Sequence, residues 1–282
     1  MKKRALAFLV IFALLFCLCS CSGSGQNSSF SIQFIDVGQG DSALVECDGH
    51  YMLIDGGDVS AGEKVYGVLE EKGIQKLDIL AVSHLHSDHI GGLIKALTYA
   101  SEIGITISNS SYAETEIFKK FEHELSINGS SITVPSNGTT YQLGSATVEV
   151  VDVGISKSND SLVLLITYGD TRFLFTGDIE EASQTRISDK YQNEYDKPFE
   201  IDLIKLPHHG SYTGSLYRFL RTFMPEYAVI SVGTNNMYGH PDTKTLDLLD
   251  SKMWSPEVYR TDLNGDIIVK SNGKEISIET SK

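Results

Sequence analysis

Apolar residues recur along the chain in short runs with the spacing of half-buried or fully buried strands. They are FSIQFIDV (30–37), SALVEC (42–47), YMLID (51–55), LDILAVS (77–83), ATVEVVDV (146–153), SLVLLITY (161–168), TRFLFTG (171–177), IDLIKLP (201–207), YAVISV (227–232) and DIIVKS (266–271). Between them the spacing changes to that of helices. AGEKVYGVLEEKGI places Val65, Val68 and Leu69 on one face and stops at Gly73, and IGGLIKALTYASEI, SLYRFLRTFMP and TKTLDLLDSKM read the same way. The segment 105–140 is rich in Ser, Thr and Asn and predicts only short strands and one helix around ETEIFKKFEHELS. Strands lead each half, about 30–135 and 140–280, and strand–helix alternation follows, with no clear sequence repeat between the halves. The expected fold class is mixed α/β (α+β), with two facing sheets and helices outside them.

The N-terminus follows different rules. Lys2, Lys3 and Arg4 precede ALAFLVIFALLFCLC, a basic start and an apolar run too short for a comfortable membrane span, which together predict a secretory leader at 1–20. Leu18, two small residues and Cys21 resemble a bacterial lipobox, so Cys21 is the expected lipidation site. SGSGQNSS after it reads as a flexible tether, residues 21–29, ahead of a domain at 30–282. Without the leader only Cys21 and Cys47 remain, so no disulfide framework is expected and Cys47 reads as a core residue. The leader carries three of the 23 basic residues and no acidic one, leaving 20 against 37, a net charge of −17. Such a body argues against tight non-specific binding to nucleic acid, although a bound dication reverses the field locally.

The densest chemistry is in AVSHLHSDHIGGL, residues 81–93. A buried strand runs out into His84 and His86, which side-chain alternation points the same way, and Asp88 and His89 open a helix beside them. Neutral imidazoles with a carboxylate suit zinc and tolerate manganese or iron, and three of the chain's eight histidines fall in this loop.

The H-x-H-x-D-H spacing resembles the signature of the metallo-β-lactamase superfamily, which implies a four-layer αββα sandwich and a two-metal centre. Asp55 in LIDGG matches the aspartate that supports the metal loop, and Asp178 in FLFTGDIE matches the one that bridges two ions. FIDVGQGDSALVE, NDSLVLLI, FLFTGDIE, IKLPHHGS, AVISVGTNNMYGHP and YRTDLNGDI, in this order, are similar to the extracellular domain of ComEC-type competence (DNA-uptake) proteins, and secreted phosphorylcholine esterases share part of the pattern. The resemblance implies metal ligands His84, His86, Asp88, His89 and Asp178, with His240 in YGHP favoured as the last by its place in the family's order. His208 and His209 are each open to a ligand role. The preferred role is holding a substrate phosphate or protonating the leaving oxygen, and with Asp88 they form the candidate catalytic set. The histidine that many members place before the strand SLVLLI is absent here, as in ComEC-type domains. The first ion would then have His84, His86 and Asp178 with Asn159, Asp160 or a water, a harder and weaker site. Asp36 and Asp41 flank the tight GQG connection. Asp36 reads as supporting, and Asp41 as facing the cleft or capping a turn.

The resulting expectation is a secreted hydrolase, tethered outside the cytoplasm to the bacterial cell membrane by a lipid. It would hold two divalent ions, Zn2+ favoured and Mn2+ the alternative, and cleave phosphodiesters, single-stranded DNA among them, with a metal-activated water. A monomer is assumed. Two other readings are a phosphorylcholine-esterase-like enzyme acting on envelope polymers, and a metal-stabilised binding protein without turnover. A β-lactamase is disfavoured by the missing histidine.

Overall fold

A computed structural model describes residues 29–155, 160–194, 197–213, 216–251 and 255–282. The expected leader, Cys21, the tether apart from Ser29, and Asn159 lie outside these residues. Among the described residues no helix is long and apolar enough to cross a membrane.

The chain forms β1 (Phe30–Phe34), β2 (Ala43–Cys47), β3 (His50–Ile54), β4 (Lys76–Val82), β5 (Glu102–Ser108) and β6 (Ile132–Thr133). It continues with β7 (Thr140–Leu143), β8 (Ala146–Asp152), β9 (Val163–Tyr168), β10 (Thr171–Phe175), β11 (Leu203–Lys205), β12 (Tyr227–Ile230) and β13 (Glu257–Arg260), and ends with β14 (Ile267–Ser271) and β15 (Ile276–Thr280). The helices are α1 (Gly62–Lys72), α2 (Ser87–Ile90), α3 (Leu93–Ala96), α4 (Glu116–Ile127), α5 (Glu181–Glu194), α6 (Leu216–Phe223), α7 (Thr243–Leu249) and α8 (Thr261–Asn264).

Two sheets result. The first has the order β15-β14-β1-β2-β3-β4-β5-β6 and the second β13-β12-β11-β10-β9-β8-β7. One core lies between them, where Ile32, Val45, Met52 and Ile79 meet Val148, Leu164, Ile166 and Phe173. Phe30 stacks on Phe173 with ring centroids 4.9 Å apart, and Phe34 on Phe175 at 5.6 Å. A second core joins the outer face of the first sheet to α1, α3 and α4 through residues such as Leu53, Leu80, Val65, Leu93 and Phe121. A third joins the outer face of the second sheet to α5 and α6 through Leu174, Ile204, Ile187 and Phe219. The four-layer αββα sandwich expected from the sequence is the fold observed. Strands covered on both faces explain the nearly continuous apolar runs of β4, β9 and β11.

Three departures have physical causes. The single helix expected over 90–103 is two short ones followed by a strand: α2 and α3 are separated at Gly91–Gly92, and β5 begins at Glu102. A Cβ at Gly92 would collide with the Gly56 carbonyl, so helix and loop touch through backbone. The 14-residue α5 is the least apolar long helix, docking on Ile187 and Tyr191, and its sequence shows little periodicity. The halves also interlock, because β14 and β15 return to the first sheet, with β14 antiparallel to β1.

Candidate metal centre

β3, β4 and β5 are parallel in the first sheet, as are β10, β11, β12 and β13 in the second, so their carboxyl ends deliver loops to one edge of the sandwich. Asp55 follows β3; Ser83 and His84 follow β4; Asp178 lies three residues past β10; His208 and His209 follow β11. The loops are tied together, with Ser83 accepting from Leu162 N at 2.7 Å and Gly177 from His208 N at 3.0 Å. His208 and His209 hold the left-handed backbone region (φ 50° and 54°), as does Asp55 (φ 56°). Non-glycine residues there cost about 1–3 kcal/mol each and persist only where surroundings enforce them, which is common around functional sites.

Four side chains converge. Asp178 Oδ2 lies 3.4 Å from His89 Nε2 and 3.4 Å from His209 Nε2, and Asp88 Oδ2 lies 3.4 Å from His209 Nε2 and 3.9 Å from His89 Nε2. Donor atoms of Asp88, His89, Asp178 and His209 all fall within 4.8 Å of one another. Ligands held at 2.0–2.1 Å in a tetrahedron sit about 3.3–3.4 Å apart, so three of these four separations already match zinc-like coordination. His89 Nε2, His209 Nε2 and Asp178 Oδ1 are buried with no hydrogen-bond partner. Buried polar atoms are rarely left so, and a divalent ion between the two rings would satisfy both nitrogens.

The far nitrogens are already engaged. His89 Nδ1–H donates to Asp55 Oδ2 at 2.9 Å, and Asp55 Oδ1 accepts from Ser83 N at 2.7 Å. His209 Nδ1–H donates to the Ser231 carbonyl at 3.0 Å, with Asp41 Oδ1 at 3.2 Å. These partners fix the tautomer that turns Nε2 toward the ion. Lys205, only 3% exposed, clamps Asp41 Oδ2.

Asp41, Asp55 and Asp178 are buried, with Lys205 the compensating buried cation beside them. Without an ion, protons make up the deficit. Burial opposes charge on His209 and His89, but Asp178 with Asp41 or Asp55 outweighs it and raises both well above the ordinary histidine value. Burial alone would lift Asp178, yet His209 and His89 hold it well below the carboxylate range. Asp41 is lowered in the same way by Lys205 and His209, while burial raises Asp55. The pocket is built to hold positive charge, and a dication at Nε2 of both rings would displace two protons.

Residues 35–234 match the family described as the metallo-beta-lactamase superfamily. The chain belongs to that superfamily. It is 30% identical over 263 residues to ComE operon protein 3 of Bacillus subtilis (strain 168), covering 86% of this chain and 33% of that protein. It is also 30% identical over 237 residues to Competence protein ComA of Neisseria gonorrhoeae, covering 82% of this chain and 30% of that one. The chain thus spans about a third of the length of these curated relatives. Among solved structures it is similar to the metallo-beta-lactamase fold protein YhfI of Bacillus subtilis, with a TM-score of 0.56 at 14% identity over 86% of this chain and all of that one. The diiron β-hydroxylase CmlA of Streptomyces venezuelae has a TM-score of 0.50 at 14% identity, over 83% of this chain and 53% of that one.

The other superfamily positions are arranged as follows. His84 Nε2 lies 2.9 Å from His86 Nδ1 and 3.9 Å from Asp178 Oδ2, so the first two histidines face each other beside the four-donor cluster. Burial and His89 together lower His84 well below the ordinary value, keeping it neutral. His208 Nε2 stands 3.8 Å from Asp178 Oδ2, and its Nδ1 3.4 Å from Glu180. His240 packs its ring 5.5 Å from His208 and 6.4 Å from His209, outside the four-donor cluster, with Tyr238 stacked on it at 5.9 Å. Asp160 turns its carboxylate to Ser183 Oγ and Ile155 N rather than into the cleft. Asp36 Oδ2 binds Lys282 Nζ at 2.9 Å, and its N–H donates to Asp266, which places it at the terminal hairpin. Asp41 lies beneath the cluster, in contact with Lys205 and His209. Lys205, Ser231, Ser83 and Ser161, the last two bonded to His84, are participants that the sequence did not single out. The only signal was a lysine inside the apolar run IDLIKLP.

Proposed function

We propose that the protein is a metal-dependent phosphodiesterase, with single-stranded DNA as its substrate. The observation that carries this reading is the convergence of donors from Asp88, His89, Asp178 and His209, with the Nε2 atoms of both rings buried and unpartnered, a site that fits one divalent ion of zinc or manganese type. An ion held there would supply Lewis acidity toward a phosphoryl oxygen and lower the pKa of water. His208, less buried than its neighbour and facing Asp178 across 3.8 Å, is placed to donate to a phosphoryl oxygen or to the leaving oxygen. His84 and His86, with Asp178, are the donors available to a second ion. The resemblance of its sequence blocks to ComEC-type DNA-uptake proteins, together with a relative named as a competence protein, supports DNA as the substrate class. The export leader, with a lipid on Cys21, would place the activity on the outer surface of the cell membrane.

The test uses protein loaded with Zn2+ or Mn2+ against bis-p-nitrophenyl phosphate, single-stranded DNA and p-nitrophenyl phosphorylcholine, beside Asp178→Ala. The variant is expected to lose metal and at least ~100-fold in turnover. Full activity in it would sink the reading. Preference for the choline ester would move the substrate to envelope polymers. Tight DNA binding without turnover at full metal loading would make the protein a binding module, a reading that the facing of His84 and His86 toward each other favours.

A further inference from the structure

On the outer face of the second sheet, an open groove of about 490 Å³ runs between α5 and α6 and the segment leading into β11. It lies toward the amino ends of the parallel strands, where Phe199 N donates to Thr222 O just before β11 and at the end of α6. The metal donors follow the carboxyl ends of those strands, so the groove is separate from the centre.

Its lining runs against the charge of the molecule. Acidic residues outnumber basic ones 37 to 23 along the chain, yet Lys197, Arg218 and Arg221 line this groove and no carboxylate among the described residues does. Arg218 is held in place by Asp189 at the margin and by Gln192 Oε1 at 2.8 Å. Neither Lys197 nor Arg221 has an ion pair with any described residue. Planar surfaces interleave with these cations. Tyr217 is 46% exposed beside Arg218, and Phe199 carries the Arg172 guanidinium 5.1 Å from its ring centroid. The volume lies within the ~300–1,000 Å³ usual for ligand sites.

We propose that this groove is a second binding site, one that holds the phosphates and an unpaired base of single-stranded nucleic acid while the metal centre acts elsewhere on the same strand. Cations along a groove with one exposed aromatic ring, Tyr217, among them supply both elements of sequence-tolerant single-strand binding, in which charge tracks the backbone and a ring stacks on a base. A duplex offers no free base face to Tyr217, and a base-free polyphosphodiester would use the cations alone. The proposal rests on the nucleic-acid reading given above.

The probe is a labelled phosphorothioate oligodeoxythymidylate, which keeps charge and bases but resists cleavage, with an abasic oligomer of equal length and a lipoteichoic-type polyglycerol phosphate beside it. Fluorescence anisotropy on the metal-loaded full chain reads affinity. The Lys197→Glu/Arg221→Glu double variant is expected to bind the oligomer at least ~10-fold more weakly, with a salt slope shallower by about 1.4, the loss of two single-strand phosphate contacts. Tyr217→Ala should weaken the base-bearing oligomer by about 10-fold and leave the abasic one unchanged. Both variants should keep the wild-type melting temperature and turn over bis-p-nitrophenyl phosphate at the wild-type rate. Wild-type oligomer binding by both variants would overturn the groove, whether or not DNA is cleaved. If an unmodified oligodeoxythymidylate of the same length also binds through the groove and is never cleaved, the groove stands and the nuclease reading is removed. Equal or tighter binding of the base-free polymer would overturn the nucleic-acid assignment.

Discussion

At the scale of single residues, the most informative pair is Lys205 with Asp41. Lys205 is 3% exposed and bound to Asp41, and Asp41 also faces the ring of His209. Breaking a buried pair by removing one member leaves the other uncompensated and costs about 3–5 kcal/mol. Asp41→Ala is therefore expected to lower the denaturation midpoint sharply, and Asp41→Ala with Lys205→Met to recover much of it, as read by urea unfolding. If the single and double variants unfolded alike, the pair would not be coupled. The histidines carry a pH signature. In the metal-free protein the folded values of His89 and His209 lie well above the unfolded histidine value. Their stabilising contribution is thus complete below about 6.5 and is lost as pH rises through the raised values. Metal competes with those protons, so its binding should tighten with rising pH and release protons. Titration calorimetry in buffers of different ionisation enthalpy measures that release, and none would contradict the protonated rings.

Much of the residue-level site was legible because it is local: His84, His86, Asp88 and His89 share one strand end, and Asp55 and Asp178 each end a strand run. The partners of His209 were not legible, since they depend on contacts between elements distant in sequence. His209 and His240 both follow strands, and their order along the chain does not reveal that a left-handed turn carries His209 Nε2 to 3.4 Å from Asp178 while His240 packs behind. For Asp41 the sequence leaves facing the cleft and capping a turn both open, because its ion-pair partner Lys205 is 164 positions away.

At the scale of elements, the parallel strands place the loops, and glycines let the loops touch. Gly40 (φ 135°) lies against the Asp88 carbonyl, and Gly92 lies against the Gly56 carbonyl, so the loops before β2 and after β3 grip the start of α2 and α3 through main chain. Overpacking of this kind costs typically ~1–3 kcal/mol. Gly92→Ala should therefore lower thermal stability and loosen metal retention together, as read by melting with and without added metal. An effect on stability alone would separate this contact from the centre. Strand runs were more legible than helices because burial on both faces writes an unbroken apolar signal. α5 is held by few apolar residues and left almost none.

At the scale of the whole molecule, the two halves seen in the sequence are not two folding units. β14 crosses back to pair with β1, and Asp266, at its start, binds Gln33 Nε2 and Lys64 Nζ at 3.0 Å each. Truncation after residue 265 should expose the β1 edge and abolish cooperative unfolding, as followed by circular dichroism, even though every proposed metal ligand remains. Retained cooperativity would show that the hairpin is dispensable.

That crossing has a consequence for how the protein is made. A chain emerging from its amino end presents β1 more than two hundred residues before its outer partner exists, because Phe30 pairs with Ser271. The first sheet cannot be completed until β14 has been made, and its contacts are among the most distant in sequence. The growing chain should stay pliable in its first sheet until β14 appears, whatever the rest of the first half has already formed.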